Sequence, residues 1–105
     1  MKIKFLKVAQ QEVEDAFDWY NCQVAGLGDE FLDELDHAVR RVSSFPESCT
    51  EIVSGLRRCL LARFPYGLIY GLDNDSVIII AVAHLHRNPR YWADRLGNIF
   101  DVHIP

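Results

Sequence analysis

The sequence predicts a two-layer α+β domain: a strand, a helical hairpin, then three or four antiparallel strands. Three observations carry this expectation. Two stretches of helical periodicity meet at Ala25-Gly26-Leu27-Gly28 in the first half of the chain. After Pro46 the spacing of apolar residues falls to two, the strand period. Val77 to Ala83 is apolar at every position, as a strand covered on both faces requires. With 105 residues, half of them hydrophobic, the chain is sized for one domain over residues 1–105 and one core.

Taken in order, Lys2 to Val8 alternates, with Ile3 and Phe5 on one face and Lys2 and Lys4 on the other, which predicts a half-buried strand. Ala9, Val13, Ala16, Phe17, Tyr20 and Val24 form the stripe of a first amphipathic helix, with most of its acidic residues off the stripe. The glycines at 26 and 28 end it. Phe31, Leu35, Ala38, Val39, Val42 and Phe45 form a second stripe that Pro46 stops. So short a connection favours an antiparallel hairpin.

Residues 57–64 are expected as a strand, with Leu60, Ala62 and Phe64 on one face and Arg57, Cys59, Leu61 and Arg63 on the other. Pro65 turns the chain into the set Tyr66, Leu68, Tyr70 and Leu72. Gly67 and Gly71 lie opposite that set and leave their face thin enough for a helix or ligand to approach. Asp73-Asn74-Asp75 is a hairpin turn before the apolar strand. Pro89 opens a short helix to about Leu96, and residues 97–105 form a tail whose alternation from Ile99 to Ile104 suits a terminal strand. Two helices on one face of this sheet leave the other face partly polar, self-associated or occupied by another macromolecule.

Composition narrows the function. The net charge is -4, whereas proteins living on nucleic acid usually carry a positive excess that neutralises phosphates. Residues 12–36 are rich in Asp and Glu with no Lys or Arg, read as a solvated helix face, while six arginines fall between 57 and 95. Cys22, Cys49 and Cys59 are odd in number and lack CxxC spacing, which suits thiols in a reducing compartment. No apolar run approaches the ~20 residues of a membrane span, and the N-terminus lacks the apolar core of a signal peptide. A cytoplasmic protein without a membrane partner is expected.

The chemistry-bearing residues gather late. His84 and His86 are two apart at a strand end and share a face. A metal would need further ligands, for which Asp101 and His103 repeat the spacing, but nothing fixes the tail against that strand, and no metal or other cofactor is expected. Metal-free RNA cleavage is a second reading, with His84 or His86 as base, Arg63 and Arg87 as phosphate clamps, and Tyr91 as acid or stacking platform. The alternative is structural: His84 caps a strand end, Tyr91 and Trp92 close the core, and Arg57, Arg58 and Arg63 are edge charges that discourage aggregation. Glycine-rich phosphate loops and Gly-x-Ser-x-Gly are missing from the sequence.

The run Arg58-x-x-x-x-Arg63-Phe64-Pro65-Tyr66-x-x-x-Tyr70, then His84-x-His86-Arg87-x-Pro89-x-Tyr91-Trp92-x-x-Arg95, resembles the RelE/ParE toxin superfamily of type II toxin–antitoxin modules. Gly26-Leu27-Gly28-x-x-Phe31 and Phe45-Pro46 extend the resemblance over nearly the whole chain. It implies a growth-inhibiting toxin, of the kind that stabilises plasmids, neutralised by a cognate antitoxin segment that folds on binding. Two mechanisms follow from it. ParE-like members inhibit DNA gyrase by binding, and RelE-like members cleave mRNA on the ribosome. The acidic balance, lysines confined to Lys2, Lys4 and Lys7, and the Phe64-Pro65-Tyr66 and Tyr91-Trp92 segments favour the ParE-like branch. Under the nuclease reading His84, His86, Arg87 and Tyr91 would be catalytic. Under the binding reading Arg57, Arg63, Tyr66, Tyr70 and Trp92 would contact target or antitoxin. A degenerate, non-toxic binding module is a third reading, and the apolar tail could support a homodimer.

Overall fold

The computed structural model describes residues 1–95. Strand β1 (Lys2–Phe5) leads into helix α1 (Lys7–Gln23) and helix α2 (Leu27–Ser44). Four strands follow: β2 (Thr50–Val53), β3 (Leu56–Leu60), β4 (Tyr66–Asp73) and β5 (Ser76–His84), with a 3-10 turn at Tyr91–Asp94. They make one five-stranded sheet in the order β1-β5-β4-β3-β2, in which β1 runs parallel to β5 and the remaining pairs are antiparallel. The architecture is α+β, with the helical hairpin on one face of a mixed sheet.

The hairpin closes as the sequence predicts. Gly26 sits at φ +86, a left-handed conformation that glycine adopts without strain. Gly28 lies against α1, where its N–H donates to Asn21 Oδ1 at 2.8 Å and an added Cβ would stand 2.5 Å from the Phe17 carbonyl oxygen. Ala9, Ala16 and Tyr20 of α1 and Phe31, Leu35, Ala38 and Val42 of α2 then bury their stripes against Leu68, Tyr70, Val77, Ile79 and Val82 of the sheet. Tyr20, Phe31, Phe64 and Tyr66 form an aromatic cluster with ring centroids 4.9–6.2 Å apart. Edge-to-face packing of this kind adds to the stabilisation from buried area alone.

Several expectations need correction. The strand expected at 57–64 ends at Leu60, and its alternation breaks there. Cys59, Leu61 and Phe64 are the buried members, whereas Leu60 is 48% exposed. The Leu61 N–H donates to the Tyr66 carbonyl, which folds residues 61–65 into a turn. Strand β2 was not expected, because Thr50–Val53 is short and half exposed and owes its place to pairing with β3 across Gly55. The parallel β1–β5 pair is likewise a product of long-range contact.

The second sheet face is not bare. Leu56, Ile69, Ile78, Ile80, Ala81 and Ala83 are buried there with Trp92. The space over the two β4 glycines is taken by neighbouring side chains, Arg58 over Gly67 and Leu56 over Gly71. Tyr70, expected at a contact surface, is fully buried on the opposite, helix-covered side, where its hydroxyl donates to the Pro46 carbonyl at 2.6 Å. The end of the helix expected to reach Leu96, the tail strand, Asp101, His103 and a dimer contact through the tail lie outside the described residues.

Gly28→Ala should destabilise the fold by about 1–3 kcal/mol, because the added methyl must push α1 and α2 apart. Urea denaturation compared with the parent chain reads this directly. A change below about 0.5 kcal/mol would show that the hairpin can relax around the methyl.

Candidate functional site

Two adjoining clefts flank the end of β5, and the residues between them include most of those singled out from the sequence. The first, of about 250 Å³, lies between α1 and β5 and is lined by Glu12, Asp15, Trp19, Tyr66, His84, Arg87 and Tyr91 among others. The second, of about 220 Å³, is lined by Arg58, Ile69, His84, Leu85, Arg87, Pro89 and Trp92 among others. His84, Arg87 and Tyr91 contribute to both.

Glu12 organises the ridge. Its side chain projects from α1 towards the sheet, three residues after Ala9 and four before Ala16, both buried. One carboxylate oxygen accepts the Val82 N–H of β5 at 3.0 Å, and the other accepts the Tyr91 hydroxyl. Arg95 donates to both oxygens, at 2.9 and 3.1 Å, and also to the Ile80 carbonyl at 2.9 Å. Arg87 approaches the same carboxylate at 3.6 Å while its guanidinium stacks 3.7 Å from the centre of the Tyr91 ring. Glu12 and Arg95 side chains are only 13% and 14% exposed, so the pair is largely desolvated. Fork-to-carboxylate geometry of this type is among the stronger polar contacts.

This arrangement fixes the protonation of Tyr91 and Arg95. Burial first, and then the hydrogen bond to Glu12, pushes the Tyr91 phenol far above its ordinary range. Burial opposes the charge on Arg95, but the Glu12 carboxylate outweighs it and raises the guanidinium pKa. Tyr91 is thus held as a hydrogen-bond donor. A proton-transfer group works best with a pKa near the operating pH, and Tyr91 is far from that.

His84 and His86 are together, with ring centroids 5.2 Å apart, and Tyr66 packs edge-on to His84 at 5.1 Å. The His86 N–H donates to His84 Nδ1 at 3.1 Å, and the Arg87 N–H donates to the His84 carbonyl, so the imidazole and backbone of His84 together cap the end of β5. With Nδ1 accepting, the ring proton of neutral His84 sits on Nε2.

The other candidates lie elsewhere. Arg63 is on the β3–β4 turn, where its N–H and Nε donate to Glu34 and its terminal nitrogen to Glu30 at 3.0 Å, both on α2. Arg57 donates to the carbonyls of Glu47 and Cys49, at 3.1 and 2.7 Å, pinning the α2–β2 connection. Trp92 is buried on the second sheet face, and Tyr66 is half-buried in the aromatic cluster. The structure therefore brings His84, His86, Arg87, Tyr91 and Tyr66 together and leaves Arg57, Arg63 and Tyr70 apart from them. Sequence reasoning missed Glu12, having set it on the solvated face, and did not use Trp19, which is 59% exposed at the cleft. Its signal was the spacing to Ala9 and Ala16. Among the described residues, three or more His, Cys, Asp or Glu side chains nowhere cluster as metal ligands would, and no helix is long and apolar enough to cross a membrane.

Comparison with known proteins gives the family and the fold. A family model described as "ParE toxin of type II toxin-antitoxin system, parDE" matches residues 3–89. Among solved structures, a chain of the chromosomal ParDE TA system from P. aeruginosa is similar in fold, with a TM-score of 0.73 at 14% sequence identity, over 82% of this chain and 97% of that one. No curated protein matches the sequence.

Removing the Glu12 carboxylate strands Arg95 in a half-buried setting. Glu12→Ala should cost about 2–4 kcal/mol in denaturant unfolding, and Tyr91→Phe about 1 kcal/mol. In a cycle with Arg95→Ala the two losses should fall well short of additive, and full additivity would mean that the bridge is not formed in solution. Acid should act at a different place. Burial works to raise the Glu34 pKa, but the N–H and guanidinium of Arg63 outweigh it and hold the carboxyl below its usual value. A group with a depressed folded pKa stabilises the fold above its unfolded value, about 4.3, and that contribution disappears as pH falls through the folded value. Glu34→Gln should therefore flatten the fall in stability on acidification, measured by denaturation at a series of pH values below about 5.

Proposed function

Because the chain belongs to the ParE toxin family of type II toxin–antitoxin systems, we propose that it arrests growth by binding its target, DNA gyrase, and is neutralised by a cognate antitoxin. The observation that carries the choice of binding over RNA cleavage is the Glu12 network. The clamp arginines and the phenol that a metal-free nuclease would use are already paired within the chain. Arg87 and Arg95 pair with Glu12, Arg63 pairs with Glu30 and Glu34, and the Tyr91 hydroxyl is donated to Glu12. A phosphate entering this region would have to compete with each of those carboxylates. It would also meet the net negative charge of the chain, -4, which opposes association with polyanions.

The antitoxin reading is supported by what the α-hairpin leaves uncovered. Trp19 and Val24 are 59% and 60% exposed on and just beyond α1, and Trp19 shares its cleft with Glu12 and Asp15. A tryptophan exposed at a cleft is the kind of aromatic anchor that protein interfaces use. An antitoxin segment that folds on binding would cover them with apolar side chains and meet the acidic helices with basic ones.

Expression of the chain alone, and with a candidate antitoxin encoded beside it, tests the proposal. The chain alone should slow growth, induce a DNA-damage response with filamentation, and inhibit supercoiling by purified gyrase. His84→Ala should remain toxic. Loss of toxicity in that variant, together with codon-linked mRNA cuts and immediate translation arrest in the parent, would instead establish the ribosome-dependent nuclease. Growth that never slows would leave the degenerate binding module.

A further inference from the structure

Two of the three cysteines meet across the β2–β3 hairpin. Thr50 pairs with Arg58 and Glu51 with Arg57, so one step further along the same register Cys49 stands opposite Cys59. Directly opposed residues of antiparallel strands share a face, with Cβ atoms about 4.5–5.5 Å apart. A disulfide needs about 3.5–4.5 Å, within reach of a small adjustment in residues just outside the strand. Both cysteines belong to the helix-side core cluster, Cys59 buried and Cys49 packed at its edge. The backbone of Cys49 is held in place by the 2.7 Å hydrogen bond that Arg57 donates to its carbonyl. A cleft of about 380 Å³, lined by Arg41, Ser48 and both cysteines among others, opens the pair to small solutes.

We propose that Cys49 and Cys59 are a peroxide-reactive dithiol that closes to an intramolecular disulfide. Cys49, the more accessible, attacks hydrogen peroxide. Its sulfur is oxidised to the sulfenic acid as the O–O bond breaks and one water leaves. The Cys59 sulfur then attacks the Cys49 sulfur, forming the S–S bond and expelling hydroxide, which takes up the Cys59 proton to leave as a second water. Two thiols and one peroxide thus give one disulfide and two waters. Arg41 donates to Cys59 Sγ at 2.9 Å, a contact that favours the thiolate form as it attacks. Burial pushes the Cys59 thiol up while the Arg41 contact works against it, which suits Cys59 to the resolving role and leaves first attack to Cys49. Cys22 is exposed on α1, outside this core cluster, and takes no part in the bond.

The purified full chain, reduced and then treated with hydrogen peroxide, is alkylated and mapped by mass spectrometry. Before alkylation the expected product is about 2 Da lighter than the reduced chain and unfolds at a higher temperature, and after it the product carries one peptide joining Cys49 to Cys59 with Cys22 alkylated. Cys59→Ala should instead accumulate a sulfenic acid at Cys49 that dimedone traps, and Cys22→Ser should behave as the parent. Should Cys59→Ala fail to fold, the peptide map of the unsubstituted chain decides alone. Cys49 and Cys59 both remaining alkylatable under peroxide that oxidises Cys22, or a bond joining two chains through Cys22, would overturn the proposal.

Discussion

A half-buried carboxylate on a helix has to be answered, and the way Glu12 is answered organises this fold. One oxygen pair receives a backbone N–H from β5, a phenol and a guanidinium, which ties α1, the sheet and the segment after β5 to a single point. Arg95 adds a bond to the Ile80 carbonyl and so fastens the end of the described chain along β5. Once that segment is tied down, Trp92 is held on the second sheet face, and Arg87 is drawn over the Tyr91 ring between the two clefts. Removing the carboxylate would leave a desolvated cation behind, so a lone substitution is costlier than the bridge itself is stabilising.

The same logic resolves the uneven charge. The acidic hairpin and the arginine-bearing second half are complementary parts of one molecule. Glu12 answers Arg87 and Arg95, and Glu30 and Glu34 answer Arg63. Arginine suits this work because its planar fork meets a carboxylate with two parallel bonds and keeps its charge when buried. A cluster of arginines at strand edges therefore does not by itself mean an anion-binding surface. In this ParE family member the guanidinium groups at 63, 87 and 95 are engaged with carboxylates of the chain's own helices. At the first cleft Trp19 stays exposed beside Glu12, Asp15 and the part-exposed Arg87.

Much of the fold was legible because periodicity reports local structure faithfully. The helix stripes at Ala9–Tyr20 and Phe31–Val42, the break at Gly26 and the doubly covered strand at Val77–Ala83 all stand where the spacing puts them. Strand β2 escaped because four half-exposed residues carry too little pattern, and β3 was drawn too long because Leu61 and Phe64 continue an apolar theme after the backbone has turned. The candidate site was legible in its residues and not in their partners. His84, His86, Arg87 and Tyr91 do converge, yet Glu12, more than seventy positions away, holds Arg87 and Tyr91.

The sequence by itself determined the number, kind and order of most elements, because hydrogen-bonded periodicity and turn chemistry act over a few residues. It also determined the family, whose model matches residues 3–89. Only the tertiary structure decided which face of β4 the helices cover, that β1 joins β5 in parallel, that Cys49 faces Cys59, and which carboxylate each arginine meets. Those outcomes depend on packing and electrostatics between residues far apart in the chain, where burial makes a contact strong and local spacing carries no record of the partner.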